Sequence, residues 1–300
     1  LSVVSGLRHS PSIAFCSRRQ SCMSWRSTIA LLLVASNALA AEGYILGVGI
    51  EGDSAEGLAV SGFGDLAVTG NTWLTGSIAK SRLDLPQQLT LETLYADLSL
   101  DHWFEPAGVR VGAAYWGDSD LLDSNDFRGS LYWRGDKAMI SLDYEYRDFD
   151  FELPPRNGFP GRTATFDAQG IGISGRFTLS DHVDLSYHGI DFEYSIDLST
   201  DRNQAILELL SFSRLSLINS LIDYSVGASL GLNAGQQRWL FEFRTWKGEV
   251  DGSVTNSATI RLVTPMGDHS DIEFGLGLDN SELYGTVTFL SVFMYFYGGT

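Results

Sequence analysis

The chain has 300 residues, 37 acidic against 20 basic, a formal net charge of −17, and a hydrophobic content of 44%. That charge repels nucleic acid, with no basic patch to offset it, and the apolar content is too high for a disordered acidic chain. After residue 41 no run reaches 18 uncharged apolar residues, which excludes a helical membrane protein.

In chain order, residues 1–22 are basic and lack any acid, and they are expected to be a non-native upstream extension, with Met23 the true initiator. Residues 23–40 read as a secretory signal peptide: Arg26 gives the positive start, Ile29 to Ala35 the apolar core, and Ala38-Leu39-Ala40 the small-x-small cleavage site near Ala40/Ala41. Residues 41–300 are then a single domain. Both cysteines, Cys16 and Cys22, and four of the 20 basic residues fall before it, so the mature chain carries no cysteine and a net charge of −21.

From Tyr44 onward, short segments alternate apolar and polar residues, the period of a strand with one dry edge. Tyr44, Leu46, Val48 and Ile50 open the series; Leu94 to Leu100, Val109 to Tyr115, Ile140 to Tyr146, and Ile272 to Leu278 continue it. "LIDYSVGASLGL", Leu221 to Leu232, sets Tyr224, Val226, Ala228 and Leu230 against Asp223, Ser225, Gly227 and Ser229. Candidate strands begin near residues 43, 57, 71, 90, 107, 126, 137, 163, 181, 220, 237, 254, 271 and 283: 14 in all, with boundaries that also admit 12 to 16. Tight turns such as "TGNT" (69–72) and "NAGQ" (233–236) alternate with longer or acidic connections, "GDSDLLDSND" (117–126), "ELPPRNGFPGR" (152–162) and the stretch after Asp197. Within the last, Ala205 to Ile218 has the spacing of a loop helix. Short turns on one rim and longer loops on the other predict an all-β, transmembrane, up-and-down antiparallel barrel.

The polar edge holds the charges. Asp97, Arg110, Arg128, Asp143, Glu145, Arg147, Arg176, Asp223, Glu242, Arg244, Arg261 and Glu273 are candidate lumen-lining residues, with Arg134 among the bases. Lys80 is the clearest charge on the lipid edge. Trp133, Trp239 and Phe296 near one rim, and Tyr146, Phe149 and Phe151 near the other, suit interfacial aromatic girdles.

Signal peptide, cysteine-free acidic mature chain, alternating strands and the aromatic final strand "YGTVTFLSVFMYFY" together resemble Gram-negative outer-membrane β-barrel proteins of the porin-like kind. The resemblance covers residues 43 to 297 and departs at Gly298-Gly299-Thr300, which follow the terminal aromatic. It implies a porin or channel for small solutes in the outer membrane, monomeric or trimeric. Its partners would be outer-membrane lipid and lipopolysaccharide, periplasmic chaperones and the barrel assembly machinery. Inner-wall acids and bases would set a transverse field, and acidic loops would favour cations at the mouth.

Two other classes stand beside that reading: a closed structural or adhesive barrel, and a lipid-modifying enzyme. The enzyme would rest on Asp184, Ser186 and His188 of "VDLSYHG", three residues on one edge beside a bulge expected at Gly189. Residues two apart on a strand lie roughly 6.5–7 Å apart, too far for direct hydrogen bonding, so no catalytic residue is assigned. No metal or cofactor is expected, because Cys, HExxH and phosphate-loop patterns are missing. In the lumen reading, Gly227 and Gly231 leave open space; Val226→Arg impairs assembly and Ser225→Arg is tolerated.

Overall fold

The computed structural model describes residues 43–85, 89–118, 122–153, 162–196, 221–249, 252–283 and 285–299. The signal peptide, its upstream extension and the candidate helix at 205–218 lie outside the described residues.

Fourteen strands are present: β1 (Gly43–Asp53), β2 (Gly57–Thr69), β3 (Thr72–Leu85), β4 (Leu89–Trp103), β5 (Ala107–Asp118), β6 (Leu122–Arg134), β7 (Ala138–Leu153), β8 (Arg162–Ser180), β9 (Val183–Tyr194), β10 (Ile222–Ala234), β11 (Gln237–Gly248), β12 (Val254–Gly267), β13 (Ser270–Ser281) and β14 (Gly285–Gly299). Each pairs antiparallel with its sequence neighbours, and β1 closes on β14 from Gly43↔Gly299 to Asp53↔Phe289. Closure leaves no sheet edge with unpaired backbone groups, the condition for an open β-surface to sit in hydrocarbon.

Register fixes the two faces, since directly opposed residues share a side. Val48, Gly62, Ile78 and Ala96 form one outward row, and Glu51, Ala59, Ser81 and Thr93 one inward row. Outward apolar side chains stay exposed around the barrel: Val48, Leu98, Leu131, Leu142, Ile171, Val226, Phe243, Leu276 and Leu290 are all more than half accessible. A continuous apolar belt of this extent has to be covered by a nonaqueous medium.

On β6 to β9 the pattern reverses toward the loop end. The outward row of β7 runs Ile140, Leu142, Tyr144, Tyr146 and then Asp148 and Asp150, while the inward row runs Ser141, Asp143, Glu145, Arg147 and then Phe149 and Phe151. On β6, outward Phe127 gives way to Asn125 and Asp123; on β8, outward Ile171 gives way to Gln169 and Asp167; on β9, Gly189 gives way to Asp191 and Glu193. At that level the wall rises out of the apolar belt. Its outside is then polar and its inside dry. A spanning strand needs about 9–11 residues, which the 16 residues of β7 and 19 of β8 exceed.

Among the described residues four register shifts interrupt the ladder, at Ala67/Thr69, Thr178/Ser180, Ile222/Tyr224 and Pro265/Gly267. None is at Gly189, which pairs regularly with Ile173 and Val226; the bulge expected there is absent because His188 and Ile190 keep strict alternation. The acidic "GDSDLLDSND" is also not a whole loop. β5 runs to Asp118 and β6 resumes at Leu122, so Asp123 points outward and Asp126 inward.

Candidate functional site in the barrel interior

Arg128, inward from β6, is the hub of the inner wall. Its Nε donates to Glu145 Oε1 at 3.0 Å, Nη1 to Tyr95 at 3.0 Å and Nη2 to Asp126 at 3.3 Å. Arg147 Nε donates to the same Glu145 oxygen at 3.0 Å, and its guanidinium sits 4.2 Å from the centre of the Phe192 ring. Ser124 caps Asp126 at 2.5 Å, and Tyr95 donates to Asp97 at 2.7 Å. Arg guanidinium, with several donors in a plane, is the side chain suited to bridging acids on adjacent strands.

Several other lumen charges also pair locally. Arg110 binds Asp101 at 2.7 Å, Arg238 binds Asp184 at 2.7 Å, and Arg176 approaches Asp184 at 3.6 Å. Arg261 bridges Glu242 and, at 3.7 Å, the buried Glu273, which also accepts from Tyr295 at 2.9 Å. Arg244 donates to Ser225 at 2.8 Å and lies 5.5 Å from the Trp246 ring centre; Arg134 covers Trp103 at 5.4 Å. Arg110, Arg176, Arg238 and Arg261 are each matched by an acid on the same wall: desolvation makes an unpaired lumen charge costly, and adjacent strands supply a counter-ion within reach.

Asp223 departs from its neighbours. It is the extra residue of the Ile222/Tyr224 shift, and its carboxylate accepts from Lys247 at 2.6 Å, a residue whose register places it on the outer edge. Lys80 does lie outward, together with Arg82, which alternation also assigns to that face; Lys80 binds Glu92 at 2.8 Å near the loop end.

Above the charged hub lies a dry cluster: Trp116, Leu122, Phe149, Phe151, Phe166, Ala168, Phe192, Leu221, Ile222 and Trp246. Phe149 is fully buried. Phe149 and Phe151 are thus interior side chains rather than girdle residues. The signal was available in their parity, which is that of Glu145 and Arg147.

Below the cluster the wall encloses two cavities. The upper, about 390 Å³, is bounded by Asp97, Ser99, Arg110, Arg128, Asp143, Glu145, His188 and Ile190. The lower, about 410 Å³, is bounded by Asp65, Trp73, Ser99, Asp101, Arg110, Tyr132 and Arg134. They share Ser99 and Arg110 as lining, so the two cavities are adjacent between the short-turn end and mid-barrel.

The far wall is fuller than its sequence suggests. A Cβ on Gly227 would lie 2.3 Å from His188 Cε1, and one on Gly231 would lie 2.6 Å from Asp184 Oδ1. The expected open space at both glycines is occupied by side chains from β9. Ser225 is fully buried and holds Arg244, so an arginine there has no place to go, contrary to the tolerance expected. Ser186 pairs with Ser229 at 2.5 Å and Asp184 with Arg238, leaving Asp184, Ser186 and His188 without the mutual bonding of a nucleophile relay. Among the described residues no three His, Cys, Asp or Glu side chains stand together to hold a metal.

A closed antiparallel barrel with an apolar belt outside and paired charges inside has the architecture of a membrane-spanning β-barrel. Among solved structures, the chain is similar to the CymD monoaromatic hydrocarbon channel, with a TM-score of 0.54 and 9% identity over 90% of this chain and 92% of that one. It is also similar to a FadL homologue from Pseudomonas aeruginosa, with a TM-score of 0.51 and 7% identity over 85% of this chain and 89% of that one. At these identities the likeness is one of fold. No protein-family model and no curated protein matches the chain in sequence.

Proposed function

We propose that the protein is a Gram-negative outer-membrane channel for small solutes, reached after signal-peptide cleavage near Ala40/Ala41. The observation that carries the reading is the pair of adjacent, charge-lined interior cavities that share Ser99 and Arg110. A structural barrel has no need of a charge-lined space below its dry cluster, whereas permeation requires one. The fold shared with a hydrocarbon channel and a FadL homologue supports the same class. The apolar belt would meet lipid, and the polar rim above it lipopolysaccharide.

The buried cluster around Phe149 supports a second reading, a barrel closed at its loop end. Planar-bilayer recording separates the two. Discrete conductance steps from folded, heat-modifiable protein are expected, and their absence favours the closed barrel.

A further inference from the structure

The carboxylates of the inner wall are not equally neutralised. Around the upper cavity the arginines already have carboxylates: Arg110 has Asp101, Arg128 has Asp126 and Glu145, and Arg147 shares Glu145. Two cavity-lining acids remain. Asp97 accepts from the hydroxyls of Ser77 at 2.6 Å and Tyr95 at 2.7 Å, and Asp143 from that of Ser141 at 2.6 Å. Neither forms an ion pair among the described residues. Both are half-buried, and hydroxyl donors hold each in place without supplying the countercharge.

Resting on the channel reading, we infer that the upper cavity is a binding station for small organic cations carrying a primary ammonium group, with Asp97 and Asp143 as its two anchoring carboxylates. At about 390 Å³ the space is of small-molecule size. An ammonium brings three donors and a charge to a carboxylate whose remaining lone pairs are unused. Ile190 offers an apolar surface for the body of the solute. A carboxylate solute would meet two anions outside any ion pair, beside arginines already paired with other acids, and a neutral one would gain no charge-assisted hydrogen bond. A shared metal ion fits poorly. Asp97 on β4 and Asp143 on β7 are three strand spacings apart around the wall, about 14 Å, and four residues apart along it, about 13 Å, since the register carries Asp97 through Ala114 and Asp126 to Arg147. The two acids therefore act as separate docking points at two levels of the passage.

The test uses the full mature barrel in planar bilayers, with phenethylamine, phenethyl alcohol and phenylacetate as probes. Phenethylamine is expected to block the ion current at concentrations at which the alcohol and the acid do not, and a salt gradient is expected to give a cation-selective reversal potential. The Asp97→Asn/Asp143→Asn double variant keeps the Ser77, Tyr95 and Ser141 partners. It should fold as the wild type does, read by heat-modifiable gel migration, while amine block weakens about tenfold or more, as loss of hydrogen bonds to a charged group implies. Anion selectivity in the wild type, or unchanged amine block in the double variant, overturns the assignment. If folded wild-type protein shows no steps at all, the channel reading fails by itself, and calorimetric titration with phenethylamine in detergent decides the site. Binding lost in the double variant upholds it; no wild-type binding, or equal binding in both, overturns it.

Discussion

Phe149 and Phe166 face each other directly across the β7–β8 pair, with ring centroids 4.8 Å apart and planes 15° from parallel, inside the wall rather than outside it. The pair is the centre of the dry cluster inside the barrel above Arg128. Truncating Phe149 to alanine removes a fully buried ring and is expected to cost about 3–5 kcal/mol. In the channel reading it also widens the loop end. Denaturant unfolding in vesicles and single-channel conductance should change together, stability falling and conductance rising; a stability loss with unchanged conductance would place the narrowest point elsewhere.

Adjacent residues on β10 give a contrasting pair. Val226 points into the outer belt and is half exposed, so Val226→Arg puts a charge toward hydrocarbon at an expected cost of about 2–4 kcal/mol. Ser225→Arg fails for another reason: the site is fully buried and already holds Arg244. Folding yield into vesicles, read by heat-modifiable gel migration, should drop for both arginine variants. Ser225→Ala, which fits the same space, should fold and lose only the bond to Arg244.

Gly227 is the ledge on which His188 rests. A methyl group there collides with the imidazole, which is the free end of a side chain and can swing toward the upper cavity it already lines. Gly227→Ala is expected to fold and to pass less current per channel. Adding His188→Ala should restore the conductance, because it removes the displaced ring; a Gly227→Ala variant with normal conductance would count against this account.

Asp123 stands on the polar rim above the belt, facing outward. Burial first, then the neighbouring carboxylates of Asp150 and Glu152, hold its carboxyl above the usual carboxylate range. A raised folded-state value means that the folded barrel binds the proton more tightly than the unfolded chain. The penalty is therefore absent below the unfolded value and fully present once pH rises past the folded one. Asp123→Asn should stabilise the barrel near pH 7 and do nothing at strongly acidic pH, where both chains are uncharged at that position. Thermal unfolding at the two pH values checks this.

Much of this was legible in the chain. Strand starts anticipated at 57, 107, 237 and 254 coincide with the observed ones, because strict alternation and glycine-bearing turns mark where a strand can begin. The largest displacement is β6, anticipated at 126 and observed at 122. Its first residues are acidic and read as loop, yet above the lipid belt an outward Asp123 is simply solvated.

Residue order alone determined the period-two pattern, and with it a closed barrel whose polar edge faces inward. One-residue parity assigns every side chain of a strand at once, and Arg128, Glu145 and Glu273 needed no more than that. What stood across from each of them only the tertiary structure could decide. Arg128 meets Tyr95 across 33 positions of sequence, and His188 fills the space that Gly227 leaves on the neighbouring strand. Pairing, filling and closure depend on lateral neighbours. The sheet's register supplies those neighbours, and alternation within a strand does not contain them.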